Sequence, residues 1–322
     1  DEAFCVDTDD VARAIKRLKA GKGDGSRGFY SDHLLNGGNT LHSFLMILLN
    51  CMFTHGHSPP VLLSSVMISL AKNVRASLSN SSNYRSIALC SSLCKLVDLI
   101  IIDKCRVQLK TCYMQFGFKA SHSTVLCTAV LKETVQHFVN NDSCVYACLL
   151  DASKAFDRVQ YSKLFNLLLD RHLPLIVTRL LLDLYTRQTA CACWNGKQSQ
   201  PFSLLNGVKQ GGVLSPILFT VYMDSLLLKL KTSRIGCHVN GTYVGALCYA
   251  DDLTLLCPSL VGLNKMIRIC TEYADEYNLT FNASKTVAMS FGKTNSVPGG
   301  FISLDEQPVE WSNEAKHLGN VI

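Results

Sequence analysis

Two adjacent carboxylates sit in the segment Cys248-Tyr249-Ala250-Asp251-Asp252-Leu253. Apolar runs flank them, and strands are expected over 243–249 and 253–257, so the pair is projected at the tip of a turn rather than buried. Neighbouring like charges repel, and they persist at low cost either in water or around a divalent cation. From this segment alone a solvated Asp-Asp turn and a cation site both stay open. Asp151 changes the balance. It ends a second apolar run, 145–150, which has the pattern of a strand buried on both faces, and Ala152-Ser153-Lys154-Ala155-Phe156-Asp157 follow it. If the two runs are neighbours in one sheet, three carboxylates converge at one edge. Such a set suits two hard cations bridged by carboxylate and phosphate oxygens. Those ions activate an attacking hydroxyl and stabilise a leaving pyrophosphate in an in-line displacement.

The elements that must position these residues follow from periodicity and punctuation. An amphipathic basic helix opens the chain, with Val11, Ile15 and Leu18 on one face and Arg13, Lys16, Arg17 and Lys19 mostly on the other, and a glycine-rich turn over 21–27 ends it. A helix over 40–53 is stopped by Gly56 and Pro59-Pro60. The β-branched run 61–72 reads as a strand, and a Ser/Asn-rich loop over 77–83 leads to Tyr84-Arg85-Ser86-Ile87. Helices are expected over 91–110 and 124–140, the second capped by Ser123 or Thr124. Two more, 161–169 and 175–187, precede a hairpin of strands 190–194 and 202–205 turning at Asn195-Gly196. A helix over 213–230 tolerates Pro216 near its first turn. A helix over 260–277 and a strand over 287–291 complete a mixed α/β unit.

The 322 residues are 48% hydrophobic and 17% charged, which excludes a disordered or highly charged fibrous chain. Apolar runs such as 44–49 and 99–102 fall short of the ~18 residues a membrane span needs. No signal peptide is recognisable, and a soluble globular chain is expected. A net charge of +6, from 31 basic and 25 acidic residues, is compatible with a polyanionic partner. The 15 cysteines form no CxxC pair and lie mainly in apolar segments, so they read as buried thiols of a reducing compartment. Cys191-Ala-Cys193 and His55-Gly-His57 read as alternation along a strand or loop rather than as metal ligands.

An ordered set of motifs carries a resemblance. Leu150-Asp151-Ala152-Ser153-Lys154-Ala155-Phe156-Asp157 and Tyr249-Ala250-Asp251-Asp252 resemble the first and third palm motifs of reverse transcriptases, above all those of non-LTR (LINE-type) retrotransposons. Asn83-Tyr84-Arg85-Ser86-Ile87-Ala88-Leu89, and Phe116-Gly117-Phe118 with Ser123-Thr124, resemble fingers motifs. Gly207-Val208-Lys209-Gln210-Gly211-Gly212-Val213-Leu214-Ser215-Pro216 is similar to the Gln-Gly…Leu-Ser-Pro palm motif. Asn282 with Lys285-Thr286, and His317-Leu318-Gly319, resemble the last two palm motifs. Ser86 stands where the family commonly has proline, Ala120-Ser121-His122 replaces a more basic stretch, and Gly212-Val213 departs from the usual small-residue-plus-proline pair; none of these is an aspartate of the set.

The resemblance implies an α/β right-hand polymerase: mostly helical fingers over 1–140, a palm with an antiparallel sheet over 141–322, the two interleaved, and a thumb absent or truncated. It implies an RNA-directed DNA polymerase that extends a primer 3′-hydroxyl with dNTPs on an RNA template. Asp151, the Ala152 carbonyl, Asp251 and Asp252 would hold two Mg²⁺ ions, with Mn²⁺ able to substitute. Asp252 would be the outer ligand, and Asp157 is read as a helix cap. Lys285 would donate a proton to the leaving pyrophosphate. Lys72 and Arg85 would hold the triphosphate. Gln210 and Gly211 would pass close to the incoming nucleotide, and Phe156 would lie under its sugar and exclude a ribose 2′-hydroxyl. The basic N-terminal face, the 22–27 loop, Lys119 and His122 would take template phosphates, and His317-Leu318-Gly319 would position the primer. A nuclear site of action belongs to the same expectation. An RNA-dependent RNA polymerase shares the palm but usually places a carboxylate or small polar residue at the position of Phe156. A metal-dependent nuclease does not account for the motif order. The alternative of another class is a catalytically inactive, RNA-binding polymerase remnant.

Overall fold

The structure is a computed structural model that describes residues 4–23, 29–292 and 302–322. The glycine-rich turn expected over 21–27 lies outside the described residues from Asp24 on. The chain divides into two compact units, each assembled from two stretches: Asp1–Lys110 with Gln160–Leu218, and Thr111–Val159 with Phe219–Ile322.

The first unit carries a sheet in which Ser64–Ala71 pairs antiparallel with Tyr84–Cys90 and parallel with Thr189–Trp194. The run expected as one strand from 61 begins as a helical turn, Pro60–Leu63, because Pro60 pre-sets the first helical φ; the strand starts at Ser64, where pairing with Thr189 begins. Thr189–Trp194 turns back at Asn195-Gly196, with φ of 48° and 74°, into Lys197–Gln198; Phe202–Ser203 then adds to its other end. The same unit contains five longer helices: Thr8–Lys16, Gly38–His55, Ser92–Lys104, Tyr161–Asp170 and Leu175–Thr186. Thr8–Lys16 starts at a reciprocal cap between Asp7 and Asp10 and buries Val11 and Ile15.

The second unit is built on a five-stranded sheet in the order Glu310–Trp311, Val287–Phe291, Val145–Leu150, Asp252–Cys257, Ala246–Tyr249. Its pairs are antiparallel except the first. Val145, Ala147, Leu247, Leu256 and Met289 pack with Cys127 and Leu131 of the helix Thr124–Asn140, which Ser123 caps. The alternate residues Cys148, Leu150, Leu253 and Leu255 are also buried, so the central strands are covered on both faces, as their unbroken apolar runs require. The helix Leu260–Glu276 packs on Asp252–Cys257 and Val145–Leu150. No described helix is long and apolar enough to cross a membrane. All fifteen cysteines are unpaired; Cys5 and Cys51 are exposed.

In the first unit Asp98 of Ser92–Lys104 is buried and accepts from the Val213 and Leu214 amides, at 3.1 and 3.2 Å, where the chain enters the helix Ser215–Thr232. Burial outweighs these bonds and the nearby Lys209, raising its pKa from 3.8 to about 6. Between those two values the folded state holds a proton that the unfolded chain has released. The stabilisation is therefore complete at low pH and is lost as pH rises through 6. Asp98→Asn keeps the acceptor oxygen and removes the titration. Thermal unfolding at pH 5 and pH 7 should show a smaller loss of midpoint in the variant than in the wild type; equal losses would contradict the assignment.

Candidate active site

The sheet register assembles the carboxylates. Leu253 pairs with Leu150, so Asp151 leaves the end of its strand beside the start of the Asp252–Cys257 strand. Asp252 pairs with Tyr249, which makes the connection a two-residue turn of Ala250 and Asp251 and puts Asp252 into the ladder as the first strand residue rather than in the turn. Ala250 adopts φ of 59°, a left-handed conformation that costs a residue with a Cβ roughly 1–2 kcal/mol.

Asp151 is fixed through its backbone. Its carbonyl accepts from the Asn282 amide at 2.8 Å, and its own amide donates to Thr286 Oγ1 at 3.4 Å. Ala152 forms an antiparallel bridge with Phe281, and Ser153 donates to the Thr280 carbonyl at 2.8 Å. The same 280–286 segment brings Lys285 Nζ to 3.6 Å from Asp151 Oδ2. This pair is largely in water, where such contacts contribute little and are readily exchanged.

Asp252 reports the field at this edge. Displaced water raises its pKa first, and the Asp251 and Asp151 carboxylates add to the rise, to about 6. Among the described residues no three His, Cys, Asp or Glu side chains form a closed ligand cluster. The donor set nevertheless fits a divalent cation, because its members are hard oxygen donors brought to one edge of the sheet.

Phe156 lies in the helical turn Ala155–Arg158, which Lys154 enters with φ of 50°. Its ring stacks on Phe219 at 4.4 Å between centroids and 17° between planes, and Phe118 meets it edge-on at 6.4 Å. Asp157 is inside this turn rather than at its cap, where Lys154 stands.

The other expected nucleotide residues lie in the first unit. Arg85 is opposite Leu70, and the Lys72 amide continues that ladder to the Asn83 carbonyl at 2.7 Å. Alternation therefore puts Lys72 and Arg85 on the same face of the hairpin, both exposed. The Gln210 carbonyl accepts from the Ala88 amide at 2.6 Å. Gly211 has φ of 116°, and a Cβ there would stand 2.5 Å from the Ala88 carbonyl oxygen, so this backbone approach requires glycine.

Of the residues expected to meet the template, Arg13 pairs with Asp10 and Arg17 with Asp103, while Lys119 Nζ donates to the Thr111 and Cys112 carbonyls. Lys316–His317 and Asn320–Val321 form a hairpin turning at Leu318-Gly319, with His317 buried and its pKa lowered by that burial.

The profile of the family described as reverse transcriptase (RNA-dependent DNA polymerase) matches residues 72–322. The chain belongs to the reverse transcriptase family. It is 28% identical over 246 residues to the Retrovirus-related Pol polyprotein from type-2 retrotransposable element R2DM of Drosophila melanogaster, covering 75% of this chain and 22% of that protein. It is 26% identical over 294 residues to the RNA-directed DNA polymerase from mobile element jockey of Drosophila melanogaster, covering 86% of this chain and 30% of that protein. The chain thus spans less than a third of the length of these relatives. The structure of apo telomerase from Candida tropicalis, truncated from its C-terminal domain, superposes with a TM-score of 0.53 at 12% identity, covering 79% of this chain and 56% of that one. That likeness concerns the fold, which is right-hand polymerase-like. Reverse transcriptases generally use divalent metal ions, and the family implies an RNA template, a primer and dNTPs.

One residue beside the three carboxylates carries little signal in the sequence. Gln115 is fully buried and bonds the Ala250 peptide next to the aspartates. Its only local signal is a polar side chain between Met114 and Phe116, immediately before the Phe116-Gly117-Phe118 motif.

The carboxylates' mutual repulsion makes a stability prediction that needs no activity. In metal-free buffer at pH 7, Asp251→Asn should raise the thermal midpoint by about 1–3 °C, because a like charge is removed. Added divalent cation should stabilise the wild type but not the variant. A variant that is less stable than wild type without metal, or equally stabilised by it, would contradict this account of the site.

Proposed function

We propose that this chain is the polymerising part of a non-LTR retrotransposon RNA-directed DNA polymerase, which extends a primer 3′-hydroxyl with dNTPs on an RNA template. The observation that carries the reading is the placement of Asp151, Asp251 and Asp252 at one edge of the second unit's sheet, within one another's field. We assign mostly helical fingers to residues 1–140 and the palm to residues 141–322, the two interleaved. Asp151, the Ala152 carbonyl, Asp251 and Asp252 would hold two Mg²⁺ ions, with Mn²⁺ able to substitute. Bound there, such ions would lower the pKa of the attacking hydroxyl and neutralise charge on the leaving pyrophosphate.

The chain's own residues supply the rest. Lys285, 3.6 Å from Asp151, holds a proton beside the leaving group. Lys72 and Arg85 bind triphosphate oxygens through charge-assisted hydrogen bonds from one face of their hairpin. Gln210 and Gly211 present backbone to the nucleotide's sugar and base, where a side chain at 211 would push the loop off the Ala88 strand. Phe156, backed by Phe219, is a rigid floor that has no room to yield to a 2′-hydroxyl. A nuclear site of action goes with this proposal. The reading as an inactive RNA-binding remnant is not favoured, since Asp151, Asp251 and Asp252 are all present and Asp252 lies in the field of the other two.

The test is primer extension on an RNA template, with this chain and with a longer protein that contains it. dNTPs should be incorporated with Mg²⁺ or Mn²⁺, and Asp251→Asn should lower the rate by at least about a thousandfold, the equivalent of several kcal/mol of lost charge stabilisation. No extension from either protein would turn the reading toward the remnant. Phe156→Val should raise rNTP use relative to dNTP use at least about tenfold, since it opens space worth one or two kcal/mol of discrimination. An unchanged ratio would remove Phe156 from sugar selection.

A further inference from the structure

A glutamine is costly to bury unless its amide is fully paired, because an unmet donor or acceptor costs about 1–3 kcal/mol. Gln115 is completely buried and is paired at both ends of its amide. Its Oε1 accepts from the Ala250 amide at 2.9 Å and from the Gly117 amide at 2.8 Å. Its Nε2 donates to the Ala250 carbonyl at 3.4 Å and faces Cys248 Sγ at 3.3 Å. One side chain thus takes both hydrogen-bonding groups of Ala250, as a neighbouring strand would.

The backbone around Gln115 is anchored to the same hairpin. Gln115 bridges Cys248 in parallel, the Phe116 amide donates to the Cys248 carbonyl at 2.7 Å, and the Cys248 amide donates to the Met114 carbonyl at 2.9 Å. Gly117 completes the seat. A Cβ at that position would lie 2.5 Å from the Ala250 nitrogen, so no other residue fits without moving the turn. The held residue is the one in the left-handed conformation, at φ of 59°, and it directly precedes Asp251 and Asp252. Without a partner, this unfavourable backbone would relax and swing both carboxylates.

We infer that Gln115 is a positioning residue: it clamps the Ala250 peptide and thereby sets where Asp251 and Asp252 stand. The inference rests on the proposal that these aspartates hold the catalytic cations, and it adds a group to that site which touches neither cation nor substrate. Gln115→Met keeps the side chain's length and removes both halves of the clamp. Gln115→Glu keeps an acceptor oxygen for the two amides.

The experiment titrates Mg²⁺ in primer extension for wild type, Gln115→Met and Gln115→Glu, with rates normalised to folded protein. Backbone hydrogen exchange is followed in the same three proteins. A residue that only supports folding would lower the rate equally at every Mg²⁺ concentration. The clamp predicts that half-saturating Mg²⁺ rises at least fivefold in Gln115→Met, with a smaller rise in Gln115→Glu. It also predicts faster exchange at Ala250 while the amides of Val287–Phe291 are unchanged. Should Gln115→Met not fold, the shift in Gln115→Glu carries the result alone. Half-saturating Mg²⁺ unchanged in every folded variant would overturn the inference. If the wild type does not extend primers, the functional reading fails separately, and the exchange at Ala250 decides the clamp: unchanged exchange overturns it.

Discussion

Repulsion among Asp151, Asp251 and Asp252 is the constraint on which the second unit's architecture depends. Three carboxylates would separate in a flexible chain, and here the sheet denies them that freedom. Leu253 is registered with Leu150, and Tyr249 with Asp252, so the backbone at the three aspartates cannot part without breaking ladder hydrogen bonds. The Asp252 pKa is raised to about 6, first by burial and then by the two neighbouring carboxylates. Under the proposed function, a bound cation would offset that repulsion.

The confinement holds because the hairpin's surroundings are apolar and complete. The strands behind the aspartates are buried on both faces, and the polar groups of the turn are met by Gln115 and by the backbone of 114–117. On the other side, the 280–286 segment fastens Asp151 by its carbonyl and amide while leaving its carboxylate at the edge. Rigid support therefore reaches these aspartates through the main chain, and their carboxylate oxygens stay available. Phe156 follows the same logic: its ring is fixed by Phe219 and Phe118, so its position does not depend on what approaches it.

Features governed by local chemistry were legible in the sequence. The strand Val145–Leu150 and the helix Thr124–Asn140 with its Ser123 cap lie where periodicity and capping put them, and Asn195-Gly196 turns its hairpin with the two positive φ angles that pair favours. Boundaries set by long-range pairing were not. The 61–72 run begins as a helical turn because Pro60 acts before strand pairing starts at Ser64. The expected helix over 91–110 ends at Lys104, where Cys105 closes it against the Ile101 carbonyl. Asp252, read as a turn residue, is in the ladder because its partner Tyr249 leaves room for only two residues between them. Asp157, read as a cap, lies inside the short turn that follows Asp151. Gln115 was illegible for a plainer reason: its partner Ala250 is 135 residues away, and nothing in its immediate sequence indicates that contact.

The central claim is that residues far apart in the chain, Asp151 and the Asp251-Asp252 turn, serve one cation site. Iron-directed backbone cleavage tests it without requiring turnover. With Fe²⁺ in place of Mg²⁺ and locally generated hydroxyl radicals, the account predicts cuts at both 150–152 and 250–252, suppressed together by excess Mg²⁺ and absent in Asp251→Asn. Cuts at only one of these segments, or cuts that Mg²⁺ does not suppress, would contradict it.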